Sequence, residues 1–361
     1  MTASPNHRIL YEQNDFPAFQ NRMYPTRDDA RTCPRADLRI VEDLETGLVY
    51  NAAFRPEIMN YDAFYQNDQS TSTIFQAHLN DVAGIVRRTL GLTSLVEVGC
   101  GKGMFLDLLT ALGADIVGFD PTYEGSDPRI RREYFTQGIG IAGEGIILRH
   151  VLEHIPDPVS FLFDIAEANG NRGRIYIEVP CFDWICENHV WYDIFHEHVN
   201  YFRLGDFHRI FRSVVESGHV FGGQYIYVVG DLASLRRPKI DQNDRVAFPA
   251  DFSDGLASIG TLTPAPTIIW GGASKGVILA LMCERAGRPV ETVIDISPAK
   301  QGLFLAATGL QVRSPAEILP TLETGTPIYV VNSNYLDEVR AISQNRLTYI
   351  TIDRAPARTA A

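Results

Sequence analysis

Residues 95–120 read LVEVGCGKGMFLDLLTALGADIVGFD, and this stretch decides the fold of the first half of the chain. A short apolar run ends in Gly99, Gly101 and Gly103, and apolar residues at helical spacing begin at about Met104. Glycine permits positive φ and close approach of a ligand to the backbone, and a helix N-terminus presents free N–H groups. The stretch therefore predicts a strand, a ligand-binding turn and a helix.

A second landmark is Asp120, which ends the next apolar run seventeen residues after Gly103. A carboxylate at the end of that strand can accept hydrogen bonds from both hydroxyls of a ribose. The G-x-G-x-G spacing differs from the G-x-G-x-x-G of a dinucleotide fingerprint, which argues against a nicotinamide cofactor. The alternative is that the glycines only form a tight turn between strand and helix.

The composition indicates a folded protein of more than one domain. The chain has 361 residues, 45% of them hydrophobic, and a domain commonly takes about 100–200 residues. The net charge of −12 offers no broad positive surface to a nucleic acid. The five cysteines form no C-x-x-C pair, which argues against a disulfide framework or a four-thiolate zinc site. No leader or membrane-spanning run is seen, so a cytoplasmic location without membrane contact is expected.

Strand and helix patterns alternate along most of the chain, which predicts the α/β class with parallel sheets and helices on both faces. A second strand–glycine–helix pattern begins at TIIWGGASKG, after a stretch with no apolar run of strand length. The predicted units are an N-terminal lid subdomain at 1–71, a cofactor domain at 72–231, a helical or flexible connector at 232–265 and a second Rossmann-like α/β domain at 266–361.

The segment that follows the predicted strand RIYIEVP is dense in histidine, aromatic and acidic residues. Open α/β sheets bind ligands beyond the carboxyl ends of their strands, so chemistry is expected here. If the segment is extended, His196 and His198 point one way and Glu197 the other, which suits a base with an orienting carboxylate or a pair of metal ligands. No further ligand stands at a diagnostic spacing, so no metal is predicted. The alternative is that these histidines satisfy buried backbone groups.

The order of the motifs resembles class I S-adenosylmethionine-dependent methyltransferases. The resemblance rests on E-V-G-C-G-x-G at 97–103, on Asp120, and on H-V-L-E-H-I-P-D-P at 150–158. It implies a Rossmann-like domain with S-adenosylmethionine as cofactor. The expected cofactor-binding residues are Glu97, Gly99, Cys100, Gly101, Gly103, Asp120, Arg149, His150, Tyr65 and Ser72.

Several of these assignments have alternatives. Glu97 either anchors the loop backbone or contacts the cofactor amine. Tyr65 with Ser70 and Ser72 either closes over the cofactor or provides packing and a helix cap. His150, like His154, is expected to shape the cofactor site or satisfy backbone groups rather than to act in catalysis.

The segment I-F-H-E-H-V-N-Y-F at 194–202 is similar to the Y-H-E-H-x-x-Y-F segment of sugar C-methyltransferases, which act on nucleotide-linked 4-keto deoxysugars. The likeness extends to FPAFQNRMYPTRDDA at 16–30 and to IIWGGASKGVILAL at 268–281. It implies that His198 removes the proton α to the ketone and that the enolate attacks the cofactor methyl. The implied catalytic residues are His198, Glu197, His196 and Tyr201, and the implied substrate-binding residues are Tyr192, Phe195 and Lys275.

Two positions depart from that family. Phe195 stands where the family has a tyrosine that stabilises the enolate, so either Tyr192 or Tyr201 supplies the hydroxyl or the reaction differs. The residues DLETG at 43–47 replace a C-x-x-C pair of the family's N-terminal zinc module, so that module is degenerate and no zinc is expected. Lys275 either contacts a pyrophosphate or is a solvated remnant of a nucleotide fold.

These features support C-methylation of a sugar nucleotide most strongly, with a small-molecule acceptor and no nucleic-acid partner. O- or N-methylation of another small metabolite is the alternative, with His198 deprotonating a hydroxyl. A non-catalytic binding protein conflicts with the intact glycine loop and the H-E-H segment. A nicotinamide oxidoreductase has only the second α/β domain in its favour. The oligomeric state is left open by the sequence.

Overall fold

The computed structural model describes residues 6–59, 64–66, 69, 71–259 and 267–353. Within these residues the strands are β1 (His7–Pro17), β2 (Arg35–Asp43), β3 (Val49–Asn51), β4 (Leu95–Val98), β5 (Ile116–Phe119), β6 (Ile130–Arg131), β7 (Gly145–Arg149), β8 (Arg174–Pro180), β9 (Asn200–Tyr201), β10 (Val214–Val220), β11 (Tyr225–Asp231), β12 (Ile268–Trp270), β13 (Thr292–Ile294), β14 (Val312–Arg313), β15 (Pro327–Val330) and β16 (Thr348–Thr351). The α-helices are α1 (Arg27–Arg31), α2 (Thr73–Thr89), α3 (Met104–Ala111), α4 (Pro158–Ala168), α5 (Phe182–Glu187), α6 (Leu204–Ile210), α7 (Lys275–Arg285), α8 (Pro315–Ile318) and α9 (Leu336–Ile342). In this part of the chain, every helix is too short or too polar to cross a membrane.

The central sheet has the strand order β10-β11-β8-β7-β4-β5-β6. Its strands β4 to β8 run parallel to one another, and β11 and β10 complete the sheet in antiparallel orientation. The α/β class with parallel strands is confirmed, and β11 and β10 add an antiparallel edge to the sheet. The strand β10 escapes prediction because its side chains are half-buried or exposed and show no apolar alternation.

Two helices show why the sequence folds locally as it does. Helix α2 begins at Ser72, whose side chain accepts a hydrogen bond from the Phe75 N–H, and it buries an apolar face that includes Leu79, Val82 and Val86. Helix α4 begins at Asp157, followed by Pro158 in the first turn, where the missing N–H is tolerated. Both helices pack against the central sheet.

The C-terminal sheet has the strand order β14-β13-β12-β15-β16, with every pair parallel. Helix α7 follows β12 directly, and its residues from Lys275 to Cys283 are all buried. A helix buried on every side lies between two layers rather than on a surface. The second α/β unit is therefore present, and its first helix packs inside the molecule.

A small antiparallel sheet, β1-β2-β3-β9, lies near the N-terminus. In its turn at 43–47, the Asp43 carboxylate accepts hydrogen bonds from the backbone N–H groups of Glu45 and Thr46, both at 2.8 Å. Buried Glu42 next to it pairs with Arg8 at 2.9 Å and Arg245 at 2.8 Å. Carboxylates thus organise this subdomain by hydrogen bonds and ion pairs.

The connector after β11 is neither α-helical nor loose as far as residue 259. It contains only short 3-10 turns at Leu232–Ser234 and Asp254–Ser258 within that part. Val246 and Phe252 are buried in the core that also holds residues of the small N-terminal sheet. The connector's remaining predicted residues lie outside the described part of the chain. The packed portion anchors the small sheet against the body of the protein.

Candidate functional site

A cavity of about 620 Å³ lies between the central sheet and the C-terminal sheet, and we call it the central cavity. Its wall includes the loop after β4, the start of α2, and Arg149, His150, Glu153 and His154 at the end of β7 and just after it. The C-terminal unit contributes residues that follow β12, β13 and β15. The carboxyl ends of the strands in two parallel sheets thus face one space, where such sheets bind ligands.

The loop after β4 is shaped by glycines with positive φ: 73° at Gly99, 53° at Gly101 and 84° at Gly103. A Cβ at Gly99 would lie 2.3 Å from a methyl group of Val151, so only glycine fits there. At Gly101 a Cβ would meet nothing within 4 Å, and this residue lines the cavity together with Cys100. The loop backbone is therefore accessible to a ligand at Gly101.

Glu97 provides a test of whether the site fits S-adenosylmethionine. Its side chain is 3% exposed, it lines the central cavity, and its Oε2 has no hydrogen-bond partner among the described residues. Burial raises the pKa of Glu97 to about 7, opposed by the nearby Arg149 charge and assisted by that of Asp120. A buried carboxylate oxygen without a partner suits the ammonium group of an amino-acid moiety. The methionine part of the cofactor fits this wall.

Asp120 lies at the end of β5 but is turned toward the glycine loop. Its Oδ2 accepts a hydrogen bond from the Gly101 N–H at 2.8 Å, and its Oδ1 accepts from the N–H and hydroxyl of Thr122. The carboxylate holds the loop in shape and is not among the cavity-lining residues. A role in ribose binding stays a prediction for Asp120.

Arg149 and His150 share one buried carboxylate, Glu178 of β8. The donors around Glu178 are His78 at 2.9 Å, His150 at 3.1 Å, Arg149 at 3.2 Å and the Tyr176 hydroxyl at 2.7 Å. Burial alone would raise the pKa of Glu178, but Arg149 and the two histidines hold it well below its ordinary value. Sequence inspection misses this residue because an acidic residue inside an apolar strand carries no motif.

His150 has an unusual backbone and an unusual charge. It adopts φ of 52°, a left-handed conformation that is uncommon outside glycine and asparagine. Burial would lower its pKa, but hydrogen bonds with Glu153 and Glu178 outweigh this effect and raise the pKa to about 9. His150 is therefore an imidazolium at neutral pH, held beside the cofactor wall.

The start of α2 closes one side of the cavity. Ser72 caps the helix and donates its hydroxyl to Oε2 of Glu338 at 2.9 Å, while the Thr73 N–H and hydroxyl bind the other oxygen. Glu338 belongs to α9 of the C-terminal unit, so the two units meet at this helix end. Ser72 lines the cavity as well, whereas Ser70 lies outside the described residues.

The H-E-H segment is bent rather than extended, so its side chains diverge. His198 lines the central cavity with Phe195, and its ring lies 4.9 Å from that of His154. Burial lowers the pKa of His198 to about 3, with the neighbouring His154 adding to the effect and Glu153 opposing it. His198 is therefore a neutral imidazole facing the cavity.

The expectation that His196 and His198 share one side is wrong, because the chain bends at His196 and Glu197. The His196 ring stacks on Phe54 at 5.5 Å and its Nδ1 lies 3.1 Å from the Asp37 carbonyl, away from the cavity. Glu197 is fully buried and accepts hydrogen bonds from the Gln20 N–H at 3.0 Å and the Tyr65 hydroxyl at 2.9 Å. It is not placed to orient His198.

The two tyrosines expected to replace the family hydroxyl do not line the cavity. The Tyr201 hydroxyl binds the backbone N–H and carbonyl of Phe195, at 2.9 and 2.8 Å. Tyr192 is fully buried beside Trp191, with ring centroids 5.0 Å apart. Tyr65, by contrast, lines the cavity. Tyr225 and Tyr335 line it as well, so Tyr65 is the cavity-lining tyrosine that comes from the N-terminal part.

Three potential metal donors meet at the cavity wall. One carboxylate oxygen of Glu153 and one ring nitrogen each of His154 and His198 lie within 4.8 Å of one another. Two imidazoles and a carboxylate suit a divalent transition metal. The same three groups also suit proton transfer, because a neutral imidazole next to a carboxylate can accept a proton.

Lys275 lies at the C-terminal side of the cavity and is 6% exposed. Its ammonium lies 3.0 Å from Oδ2 of Asp193 and 5.0 Å from the ring centre of Trp184. Lys300, which also lines the cavity, lies 3.4 Å from Asp295. Lys275 is therefore not a solvated remnant, since it forms a buried ion pair in the cavity wall.

The chain is similar to several known proteins. Residues 59–214 match the family described as "Methyltransferase domain". The chain is 24% identical over 283 residues to the C-methyltransferase NovU of Streptomyces niveus, covering 66% of this chain and 67% of that protein. Among solved structures, a SAM-dependent methyltransferase from Archaeoglobus fulgidus is similar with 16% identity and a TM-score of 0.33, covering 44% of this chain and all of that one. The N-methyltransferase NodS of Bradyrhizobium japonicum has 12% identity and a TM-score of 0.32, covering 44% of this chain and 97% of its own.

The strand order of the central sheet, the glycine loop with Glu97 beside it, and the matched domain define the class of this protein. It is an S-adenosylmethionine-dependent methyltransferase, and S-adenosylmethionine is its cofactor.

Proposed function

We propose that the protein methylates carbon in a nucleotide-linked keto deoxysugar, with His198 as the general base. The observation that carries the proposal is the position of His198, a neutral imidazole on the wall of the same cavity as the glycine loop. The similarity to a C-methyltransferase supports transfer to carbon. A base in this position is needed because a carbon next to a ketone must lose a proton before it can accept a methyl group.

The proposed reaction uses groups on both sides of the cavity. S-adenosylmethionine supplies a methyl group on a positively charged sulfur. Glu97 would accept hydrogen bonds from the ammonium of its methionine part, and the Gly101 backbone would lie against it. His198 takes the proton from the carbon next to the ketone. The electron pair left there would form the bond to the methyl carbon while the bond between that methyl and the sulfur breaks, so that S-adenosylhomocysteine leaves with the sulfur's electron pair. The proton then leaves the imidazole to solvent, which restores the base.

We assign the enolate-stabilising hydroxyl to Tyr65. It lines the cavity, and its hydroxyl donates to Glu197 at 2.9 Å, so the phenol is held at a fixed position next to the H-E-H segment. Because a phenol has a single proton, that proton turns from Glu197 to the acceptor oxygen when the acceptor binds, and it then stabilises the charge that this oxygen gains during enolisation. In this proposal Glu197 positions Tyr65 and does not assist His198 directly.

The nucleotide part of the acceptor is proposed to bind the C-terminal unit, residues 266–361. Lys275 and Lys300 line that side of the cavity, each beside an aspartate. A diphosphate can take over part of the interaction that each lysine makes with its aspartate. We also propose a cytoplasmic location, because all five cysteines are buried and free, which suits a reducing compartment.

O- or N-methylation of another small metabolite is the second candidate. Phe195 favours it, because the cavity wall beside His198 carries a phenyl ring where a hydroxyl would assist enolisation. In that reaction His198 would take the proton of a hydroxyl or an ammonium group and no carbon–hydrogen bond would break.

Proton exchange separates the two candidates. The protein is incubated in D2O with a nucleoside-diphosphate 4-keto-6-deoxysugar and no methyl donor, and exchange at carbon is followed by NMR. The C-methylation proposal predicts exchange that is lost in His198→Ala, and label from methyl-labelled S-adenosylmethionine appearing on the same carbon. Methyl transfer to oxygen or nitrogen without exchange would support the second candidate. Absence of S-adenosylhomocysteine binding in calorimetry would refute both.

A further inference from the structure

Glu153 is a buried carboxylate of the cavity wall that takes no part in the reaction steps proposed above. It lies in the 3-10 turn Leu152–His154 after β7, its side chain is 2% exposed, and it lines the central cavity. Its Oε1 lies 3.3 Å from Nδ1 of His150, while its Oε2 has no hydrogen-bond partner among the described residues. One oxygen of this carboxylate is therefore buried without compensation.

The uncompensated oxygen is unusual because Glu153 is held in its charged form. Burial would raise the pKa of Glu153, but the hydrogen bond and charge of His150, with smaller effects of His154 and His198, hold it below its ordinary value. A buried carboxylate is costly unless each oxygen finds a donor or a positive charge. A positive charge that arises near Oε2 would therefore be stabilised by this carboxylate.

His198 is the group that gains such a charge in the proposed reaction. One ring nitrogen of His198 and one of His154 lie within 4.8 Å of a carboxylate oxygen of Glu153. The groups that act on the His198 charge are Glu153, which favours its protonated form, and His154 and His150, which disfavour it. Glu153 is therefore the carboxylate that stabilises an imidazolium at His198.

Glu197, next to His198 in the sequence, does not compete for this role. Its two carboxylate oxygens accept hydrogen bonds from the Gln20 N–H and the Tyr65 hydroxyl. Glu153 reaches the base from a different strand end, the one that also carries His150. Glu197 thus binds the Tyr65 phenol, and Glu153 faces His198.

We propose that Glu153 is the positioning residue of the general base, stabilising the imidazolium that forms when His198 takes the acceptor's carbon-bound proton. This inference rests on the proposed function. The C–H bond breaks, the proton moves to a ring nitrogen of His198, and the electron pair stays on the acceptor as the enolate. Glu153 stays ionised throughout, and its negative charge pairs with the new positive charge across the cavity wall.

The test compares Glu153→Gln, which keeps the shape and removes the charge, with Glu153→Asp, which keeps the charge. The rate of carbon–deuterium exchange into a nucleoside-diphosphate 4-keto-6-deoxysugar is measured against sugar concentration at neutral pH. Loss of the charge is expected to lower the maximal exchange rate about 100-fold and to leave the KM for the sugar nucleotide unchanged. Glu153→Asp is expected to recover most of the wild-type rate. Calorimetry with S-adenosylhomocysteine should give the wild-type affinity for both variants.

The outcomes are distinguishable. If the wild type exchanges and Glu153→Gln exchanges at the same maximal rate, the inference is overturned and the proposed function stands. A wild type that shows no exchange would refute the proposed function. If Glu153→Gln does not fold, Glu153→Asp decides: an exchange rate as low as removal of the charge predicts would overturn the inference. Stoichiometric zinc, iron or manganese in the purified wild type, measured by mass spectrometry, would also overturn it, because the imidazole nitrogens would then be metal ligands.

Discussion

Replacement of His150 by asparagine should remove the part of the folding stability that the wild type loses as the pH rises from 6.5 through about 9. Asparagine is chosen because it tolerates the left-handed backbone that His150 adopts, with φ of 52°. The pKa of His150 is raised from 6.5 to about 9 in the folded protein by hydrogen bonds with Glu153 and Glu178, which outweigh burial. A group whose pKa is raised on folding contributes stability that is complete below the unfolded pKa and is lost as the pH rises through the folded pKa.

The size of the effect follows from the shift. A rise from 6.5 to about 9 is equivalent to about 3 kcal/mol of unfolding free energy, lost at about 1.4 kcal/mol per pH unit between these values. Because 29% of the His150 side chain is exposed, solvent screening makes this an upper bound. The wild type should therefore lose up to about 3 kcal/mol between pH 6.5 and pH 9.5 through this residue.

The assay is urea unfolding of the wild type and His150→Asn at several pH values across that range, followed by circular dichroism. The difference in unfolding free energy between the two proteins should be largest at pH 6.5 and should shrink steadily as the pH approaches 9.5. Titrating groups that do not contact residue 150 act equally on both proteins and cancel in the difference. A difference that is constant with pH would refute the assignment of a charged His150, even if the variant were less stable throughout.

Three further predictions concern other parts of the cavity wall. Glu97→Gln should weaken S-adenosylhomocysteine binding about tenfold in calorimetry. Because the pKa of Glu97 is about 7 and the ammonium binds its ionised form, the wild-type affinity should rise between pH 6 and pH 8, and the variant should lack this rise. Equal pH dependence in both proteins would contradict this. Glu338→Ala should lower the unfolding free energy by about 1–2 kcal/mol in urea titration, because Ser72 and the first N–H of α2 lose their acceptor, whereas Glu338→Gln should lose less. Lys275→Met should lower the unfolding free energy by about 3–5 kcal/mol, because Asp193 is then buried without its cation. The double variant with Asp193→Asn should recover much of that loss. Additive losses would show that the pair is not coupled.

The parts of the fold that the sequence predicts well are those with a local signal. The glycine loop, the cap at Ser72 and the apolar strands β4, β5, β7 and β8 each combine a periodic pattern with a turn or cap residue. The edge strand β10 lacks such a pattern because it is half-exposed, and the antiparallel direction of β11 is not encoded in its own residues. Strand direction depends on the connection between strands, which a residue pattern does not contain.

The site was predictable only where function and local structure coincide. Glu97 stands at the end of the strand before the glycine loop, and His198 was found through the resemblance of its segment to a family; both line the cavity. Glu178 and Glu153 were not predictable, because their importance comes from partners brought together by the tertiary fold. The role of a buried carboxylate follows from the groups that donate hydrogen bonds to it. Those donors are distant in sequence, as His78 is from Glu178.

The side chains of the H-E-H segment diverge because of contacts with the N-terminal subdomain. Immediately after this segment, β9 pairs with β3 of the small N-terminal sheet, and His196 is held against Phe54 and the Asp37 carbonyl. These contacts fix the bend that leaves His198 facing the cavity while its two predecessors point into the N-terminal subdomain. The subdomain thus sets the direction of the proposed base, and through Tyr65 and Glu197 it also sets the position of the phenol. The packing of this subdomain, whose turn at 43–47 departs from the cysteine pair of the resembled family, therefore orients the residues that are proposed to act on the acceptor.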